Sequence, residues 1–267
     1  MAYDGGFPEY VPVAEKRRQA QKSVEKLKKK NPNISPVIIT GTKLTTTWWG
    51  KSWNKNLESY SDYSNRIGRG RSYVRHGAVL DLKMTQGKIS ALVQGSEARP
   101  YQVTINIQAL SKDIWETLTN DCAGKIDSMQ ELIEGKFPKA LSELFTAKGK
   151  GLFPAPKEIS LQCSCPDYAK MCKHVAAVLY GVGTRLDDDP SLFFALRNVN
   201  IDDLISETIS KKAQTLLGKS NVKSRRVIED TDISDMFGIE METGVKKSVK
   251  TKRVRPRASV KEKETNG

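Results

Sequence analysis

The sequence predicts an α+β protein in which helices cover an antiparallel β-meander. A zinc finger of strand, knuckle and helix follows, and then a disordered basic C-terminal tail. Apolar residues alternate with period two between residues 78 and 107, and they recur at helical spacing on both sides of that stretch. Three of the four cysteines and one of the two histidines fall between residues 163 and 174. With 267 residues, the chain can build a core without relying on metal or disulfides.

Composition divides the chain into five predicted segments. These are a basic N-terminal arm (1–35), an α+β domain (36–156), the finger (157–186), a helical extension packed on the finger (187–218) and the disordered basic tail (219–267). The net charge of +13 is concentrated at the two ends. Residues 14–30 hold eight Lys/Arg and two Glu, and residues 243–267 hold nine Lys/Arg and two Glu. The rest of the chain is formally neutral, so the two ends indicate a nucleic-acid partner.

The N-terminal arm has good helix formers over residues 14–30 but a thin apolar stripe of Ala20, Val24 and Leu27. It predicts a helix that is marginal and solvated by itself, ending at Asn31 before Pro32. Such a helix could contact phosphates, or it could serve only to keep the protein soluble.

Residues 36–40 predict a short β-strand, and the helix after it carries an aromatic stripe. Trp49, Trp53, Leu57 and Tyr60 recur at helical spacing. We expect this stripe to face the core, with base stacking as the alternative.

Residues 65–75 predict a glycine-containing loop that contacts phosphate. It carries four arginines and no acid: Arg66, Arg69, Arg71 and Arg75. The alternative is that these arginines pair with acids elsewhere in the protein. The stretch has no GxxxxGK[ST] pattern, so a P-loop is not supported.

Strands follow at 78–84, 88–94 and 101–107, with a turn at Gln86-Gly87. Val103, Ile105 and Ile107 alternate with polar residues, which predicts one buried sheet face. Helical patterns at 112–123, 128–134 and 138–148 are expected to cover this sheet.

The second half predicts a strand at 157–162 that delivers the first two clustered cysteines, and a helix from Val175. Asp187, Asp188 and Asp189 predict a turn and the N-cap of a helix at Ser191, or alternatively a divalent-cation patch. A further amphipathic helix is expected over 201–217. In the tail, 233–241 is a brief apolar island, and the basic run has four candidate phosphate contacts: Lys252, Arg253, Arg255 and Arg257.

Four residues, Cys163, Cys165, Cys172 and His174, form the candidate zinc site. Residues two apart in a strand share a face, so the first pair can meet one ion. Cys172 and His174 differ by about 200° on an ideal helix, so Cys172 must precede the helix or sit irregularly at its start. Four filled positions predict one structural Zn²⁺, since catalytic zinc keeps a position for water. The alternatives are free thiols, a Cys163–Cys172 disulfide, or a catalytic Cys172–His174 pair.

The CxC, six-residue spacer and CxH, followed by an apolar helix, resemble the SWIM zinc finger. A wider resemblance, to prokaryotic stand-alone SWIM proteins, covers about residues 36–197 and is carried by seven stretches: 47–53, 58–66, 69–75, 79–82, 163–168, 172–178 and 189–197. It implies that Cys163, Cys165, Cys172 and His174 bind zinc. It also implies association with helicase-like ATPases of the chromatin-remodelling type, and it establishes no enzymatic activity.

We therefore expect a non-enzymatic accessory protein that binds DNA without sequence preference, a helicase-like ATPase, or both. A pure protein adapter is the first alternative. A metal-dependent nuclease or transposase-like enzyme is the second, and it would require Asp121 to converge with residues 187–189. The sequence shows no secretory signal, and its longest apolar run, near 175–182, is too short to span a bilayer. We expect a cytoplasmic protein, with nucleoid association as an option, and the oligomeric state stays open.

Overall fold

A computed structural model of the chain describes residues 11–59, 64–123, 125, 126 and 128–204, together with 206, 210, 213 and 217. These residues belong to one compact unit that ends at Lys219. The predicted basic tail, with its apolar island and its four candidate phosphate contacts, lies outside the described residues. No helix in the described part is long and apolar enough to cross a membrane.

Eight helices and four strands have the following bounds within the described residues: α1 (Val13–Lys30), α2 (Trp48–Ser59), α3 (Ser64–Arg75), β1 (Val79–Thr85), β2 (Lys88–Val93), β3 (Tyr101–Ile107), α4 (Lys112–Cys122), α5 (Met129–Glu134), α6 (Lys139–Thr146), β4 (Ile159–Cys163), α7 (Lys173–Asp188) and α8 (Ser191–Leu196). A 3₁₀ turn over Pro156–Glu158 leads into β4. Residues 201–204 are helical as well.

The four strands form one antiparallel sheet in the order β1-β2-β3-β4, so the predicted α+β fold with a β-meander is confirmed. Val103, Ile105 and Ile107 of β3 are buried, whereas Gln102 and Asn106 are exposed. Gly87 completes the turn between β1 and β2 with φ +64°, a backbone conformation that glycine adopts without steric cost. β4, which ends at Cys163 and leads into the predicted knuckle, is the fourth strand of the same sheet.

The predicted strand over 36–40 is wrong, because this segment is irregular. It nevertheless lies along the outer edge of β1. The Val37 N–H donates to Val79 O, the Leu82 N–H donates to Ser35 O, and the Ser35 N–H donates to the Asp81 carboxylate. Pro36 has no N–H to donate, and the register of β1 shifts between Val79 and Asp81, so a regular ladder cannot form here.

The aromatic stripe of α2 faces the core, which confirms the packing interpretation over base stacking. Trp49 and Trp53 are buried, and their indole N–H groups donate to Leu132 O at 2.9 Å and Leu179 O at 2.8 Å. Leu57 completes the buried face. Tyr60 lies outside the described residues.

The prediction of a loop over 65–75 is wrong, because this stretch forms helix α3. Ile67 and Val74 are buried and one face of the helix packs on α7. Gly70 lies on that face, where an added Cβ would be only 2.5 Å from the Ala176 Cβ. The glycine is therefore the point where two helices cross closely, and it does not mark a loop.

Helix α7 runs to Asp188, so the predicted turn at Asp187 and Asp188 is wrong. The Asp187 carboxylate instead accepts hydrogen bonds from the backbone N–H and hydroxyl groups of both Thr46 and Thr47. These threonines directly precede α2, whose first N–H groups need acceptors, so Asp187 acts as a cap from another helix. The Asp189 carboxylate accepts from the Ser191 N–H and hydroxyl in the predicted turn before α8, but the N-cap position itself is Pro190.

Candidate metal centre

The fold brings Cys163, Cys165, Cys172 and His174 together from three consecutive pieces of chain. Cys163 ends β4, Cys165 lies in the knuckle after it, Cys172 is the N-cap of α7 and His174 lies in its first turn. One potential ligand atom from each residue lies within 4.8 Å of all the others. The arrangement is the predicted strand, knuckle and helix.

The position of Cys172 resolves the angular problem of the Cys-x-His pair. Cys172 has φ −72° and ψ 170°, which is extended backbone just outside the helix. Its side chain can therefore converge with His174 although an ideal helix would separate them by about 200°. The expectation that Cys172 precedes the helix is confirmed.

The distances fit one tetrahedral ion. His174 Nδ1 lies 3.9 Å from both Cys163 Sγ and Cys172 Sγ. In a zinc site with Zn–S of about 2.3 Å and Zn–N of about 2.0 Å, ligand atoms are about 3.5–3.8 Å apart. The four side chains are thus compatible with one structural Zn²⁺ bound by three sulfurs and Nδ1, with small adjustments.

Backbone groups around the cluster favour negatively charged sulfurs. The Val175 N–H donates to Cys172 Sγ at 3.5 Å, and the backbone at Cys165 and Asp167 partly offsets the rise in pKa of Cys163 and Cys165. Such bonds stabilise thiolates, and Cys172 also lies at the positive end of the α7 dipole. The knuckle is therefore shaped to hold negative sulfur ligands.

The cysteines also act on each other. A hydrogen bond from the Cys163 thiol, followed by those from His174 and the Val175 N–H, lowers the pKa of Cys172 to about 4. The same hydrogen bond between the two sulfurs, together with burial, raises the pKa of Cys163. Burial raises the pKa of Cys165. Zinc binding must then displace the remaining thiol protons, so metal affinity should increase with pH.

The imidazole of His174 is held by two tyrosines that the sequence did not indicate as site residues. Its ring centroid lies 4.5 Å from that of Tyr101 and 5.4 Å from that of Tyr73. His174 is buried, and its Nε2 has no hydrogen-bond partner in the part of the chain that the structure describes. A Cβ on Gly95 would lie 3.2 Å from Nε2 and 2.3 Å from the Tyr101 ring. The ring is thus fixed by packing, with Nδ1 toward the sulfurs.

The knuckle is tied to α3 by an ion pair. Both terminal nitrogens of Arg66 lie 3.1 Å from the Asp167 carboxylate, which also accepts from the Ala169 N–H. Both side chains are partly buried, with exposed fractions of 26% and 21%. Arg66 therefore stabilises the knuckle.

The other three arginines of α3 have different environments. Arg71 bonds Glu58 at 2.5 Å and the Tyr180 hydroxyl at 2.8 Å, linking α3 to α2 and α7. Arg75 donates to Thr42 O at 3.1 Å, and Arg69 is exposed. Arg66 and Arg71 therefore pair with acids elsewhere in the protein, which is the alternative interpretation of this stretch. Arg69 and Arg75 remain predicted phosphate contacts.

Helix α1 docks on the body instead of standing alone. Ala20 is buried, and the Ser23 hydroxyl donates to the Gln94 side chain at 3.0 Å. Gly77, two residues after α3, lies beside this buried alanine, since an added Cβ there would be 4.0 Å from the Ala20 Cβ. Docking therefore places α1 beside the C-terminal end of α3, so two predicted phosphate-binding stretches are neighbours.

Asp121, the acidic residues 187–189 and the fourth cysteine, Cys122, are not part of the candidate zinc site. Among the described residues, neither Asp121 nor residues 187–189 join a group of three or more potential metal ligands. Cys122 is buried, and burial raises its pKa to about 12, as for an unreactive packed thiol.

Comparison with known proteins identifies the finger. Residues 150–182 match the family model of the SWIM zinc finger, so the chain contains a SWIM-type zinc finger around this cluster. The chain is also 38% identical over 171 residues to the uncharacterized protein Rv2102 of Mycobacterium tuberculosis. That match covers 64% of this chain and 61% of the relative. No solved structure matches the chain.

Proposed function

We propose that this protein is a non-enzymatic accessory protein that binds DNA without sequence preference and uses zinc only to shape its structure. The observation that carries the proposal is the docking of α1 beside the end of α3. Eight Lys/Arg and two Glu lie on α1, an 18-residue helix about 27 Å long. Duplex DNA carries one negative charge per about 1.7 Å of axis, so a helix of this length can follow several phosphates.

The face of α1 available to DNA follows from its docking. At about 100° per residue, Lys22 and Lys29 lie about 200° and 180° round the helix from Ala20, which is buried against the body. Both lysines are exposed. They therefore project away from the protein and are the strongest candidate phosphate contacts on α1.

Zinc supports this surface indirectly. The cluster joins β4 to the start of α7, α7 crosses α3 at Ala176 and Gly70, and the end of α3 lies beside α1. Four protein ligands fill the coordination of a tetrahedral zinc ion and leave no position for a reacting water. This supports a structural role for the metal and a binding role for the protein.

The test is binding of the zinc-loaded full chain to a fluorescent 20-base-pair duplex, measured by anisotropy at several salt concentrations. If about five phosphates are contacted, log affinity should fall with log salt at a slope near −4.5. The double charge-reversal variant Lys22→Glu with Lys29→Glu should make the slope of log affinity against log salt shallower by about 1.8. The matched control, Lys139→Glu with Lys150→Glu, makes the same charge change at exposed positions on and after α6. Salt-independent binding, no binding, or an equal effect of the control would refute the proposal.

A protein partner is the second candidate, and the resemblance to SWIM proteins points to a helicase-like ATPase. It is favoured by the fully exposed Tyr168, an aromatic side chain on the knuckle itself. Co-purification with an ATPase that survives nuclease treatment, without DNA binding by the isolated protein, would favour a pure adapter. Metal-dependent cleavage of DNA by the purified chain would instead support the enzyme alternative.

A further inference from the structure

The outer edge of β1 is covered by another backbone segment, whereas the outer edge of β4 is open among the described residues. The outer edge of β1 is covered by residues 35–37, whose backbone bonds Val79 and Leu82. At the other edge, no strand in the described ranges pairs with the outer side of β4. An open edge presents N–H and C=O groups that can pair with another strand.

The register shows which groups of β4 are available. The Gln108 N–H donates to Glu158 O, and the Ser164 N–H donates to Gln102 O. Backbone groups of alternate residues face the same neighbour in an antiparallel ladder, so residues 158, 160, 162 and 164 face β3. The N–H and C=O of Leu161 therefore point outward, at the middle of β4.

A groove lies beside this edge. Its volume is about 740 Å³, within the range of pockets that enclose small ligands and so large enough to receive side chains of a partner. Its lining is mainly apolar and comes from α2, β4, α7 and the knuckle, including Trp53, Leu57, Ile159, Leu161, Tyr168 and Met171. Tyr168 is fully exposed and Leu161 is half-buried, so an incoming side chain can reach both.

The charges around the groove favour an acidic occupant. Lys170 lines it, and Lys157 directly follows the lining residue Pro156; both lysines are exposed. The nearest acids in sequence, Glu158 and Asp167, are paired with Arg197 and Arg66. The local balance among these described residues is therefore positive.

We propose that β4 and this groove bind an extended acidic peptide of a partner protein. The peptide pairs with the outward backbone groups at Leu161 as a fifth strand. Its alternate apolar side chains enter the groove, and its acidic residues lie near Lys157 and Lys170. Strand addition uses the backbone for affinity and alternate side chains for selectivity. This surface is separate from the α1 surface proposed for DNA, because α1 packs at the β1 side of the sheet.

The probe is a fluorescein-labelled eight-residue peptide of alternating glutamate and valine, titrated into the zinc-loaded full chain. We expect saturable binding and slower amide exchange at Leu161 in the complex. The same peptide N-methylated at alternate residues along its strand-pairing edge should bind at least tenfold more weakly, because it lacks those ladder donors. An alternating lysine and valine peptide should also bind at least tenfold more weakly.

Two variants test the surface itself. Tyr168→Ala and Lys170→Glu should each weaken the peptide Kd at least fivefold while zinc content stays at one per chain. The control Lys26→Glu makes the same charge change on α1 and should leave the peptide Kd unchanged. Equal binding of the N-methylated peptide, no saturable binding, or no change in the Tyr168→Ala variant would overturn the proposal. None of these outcomes affects the duplex titration, so the two proposals can fail separately.

Discussion

Arg66 of α3 makes a two-nitrogen ion pair with Asp167 of the knuckle, with both N–O distances at 3.1 Å. The sequence of α3 predicts a phosphate-binding loop. In the structure this ion pair joins α3 to the segment between Cys165 and Cys172 of the zinc cluster. An arginine fixed in this way holds α3 against the finger.

We expect Arg66→Ala to lower the free energy of unfolding by about 1 kcal/mol, since the pair is partly buried and paired through two nitrogens. Affinity for duplex DNA should change little. Urea denaturation and duplex anisotropy measure the two effects. Arg69→Ala, on the same helix at an exposed position, is the control and should leave stability unchanged. A stable Arg66→Ala variant with weakened DNA binding would show that Arg66 contacts phosphate.

The crossing of α3 and α7 depends on Gly70. Gly70→Val should destabilise the protein by about 1–3 kcal/mol, because even a Cβ would overlap Ala176 at 2.5 Å and the α7 backbone at 3.0 Å. Gly68→Ala, two residues earlier with no atom within 4 Å of its added Cβ, should be neutral or stabilising by up to about 1 kcal/mol. Thermal unfolding of both variants checks the contrast, and equal losses would contradict it.

Zinc should bind with a stoichiometry of one per chain. Cys172→Ser should lose the metal, whereas Cys122→Ala, outside the cluster, should retain it; metal analysis of the purified variants distinguishes them. Zinc sites of this type contribute about 10–16 kcal/mol of apparent binding free energy in isolated fingers.

Removing zinc with a chelator should therefore loosen α7 as well as the knuckle. The Trp53 indole donates to Leu179 O in α7, so tryptophan fluorescence should report the change. Unchanged fluorescence and melting temperature after complete metal removal would show that the body does not depend on the finger.

Stability should fall in acid partly through Glu158. Burial alone would raise the pKa of Glu158, but hydrogen bonds from the Ala155 N–H and the Arg197 guanidinium hold it below the ordinary glutamate value. The unfolded chain then binds more protons at acidic pH, so the unfolding free energy decreases as pH falls from the ordinary glutamate range through the folded-state pKa. Urea unfolding from neutral pH to the acidic range measures this decrease.

Glu158→Gln should lose that part of the pH dependence and should also be less stable at neutral pH. Arg197 is only 1% exposed, and breaking a buried pair typically costs about 3–5 kcal/mol. Glu143→Gln removes one partner of an exposed pair with Lys139 and should have little effect. Identical pH profiles for the protein and Glu158→Gln would contradict this assignment.

The features that the sequence predicted correctly depend on local periodicity. Alternation at Val103, Ile105 and Ile107 predicts one buried strand face whatever the neighbouring strand is. The spacing of Trp49, Trp53 and Leu57 predicts the buried side of α2 in the same way. The failed prediction at 65–75 has a local cause as well. Its buried stripe of Ile67, Gly70 and Val74 has helical spacing, but in the sequence a glycine at a close helix crossing cannot be told from a glycine in a loop.

The sequence by itself determined the meander, the aromatic stripe and the Cys/His set, because neighbours a few residues apart fix side-chain direction and ligand spacing. Only the tertiary structure decided what those elements contact. Asp187 caps α2 across 140 residues, Arg66 pairs with Asp167 across 101, and β4 joins β3 at the sheet edge. Such contacts depend on how the helices and strands pack together, and a carboxylate or guanidinium carries no local signal of its partner.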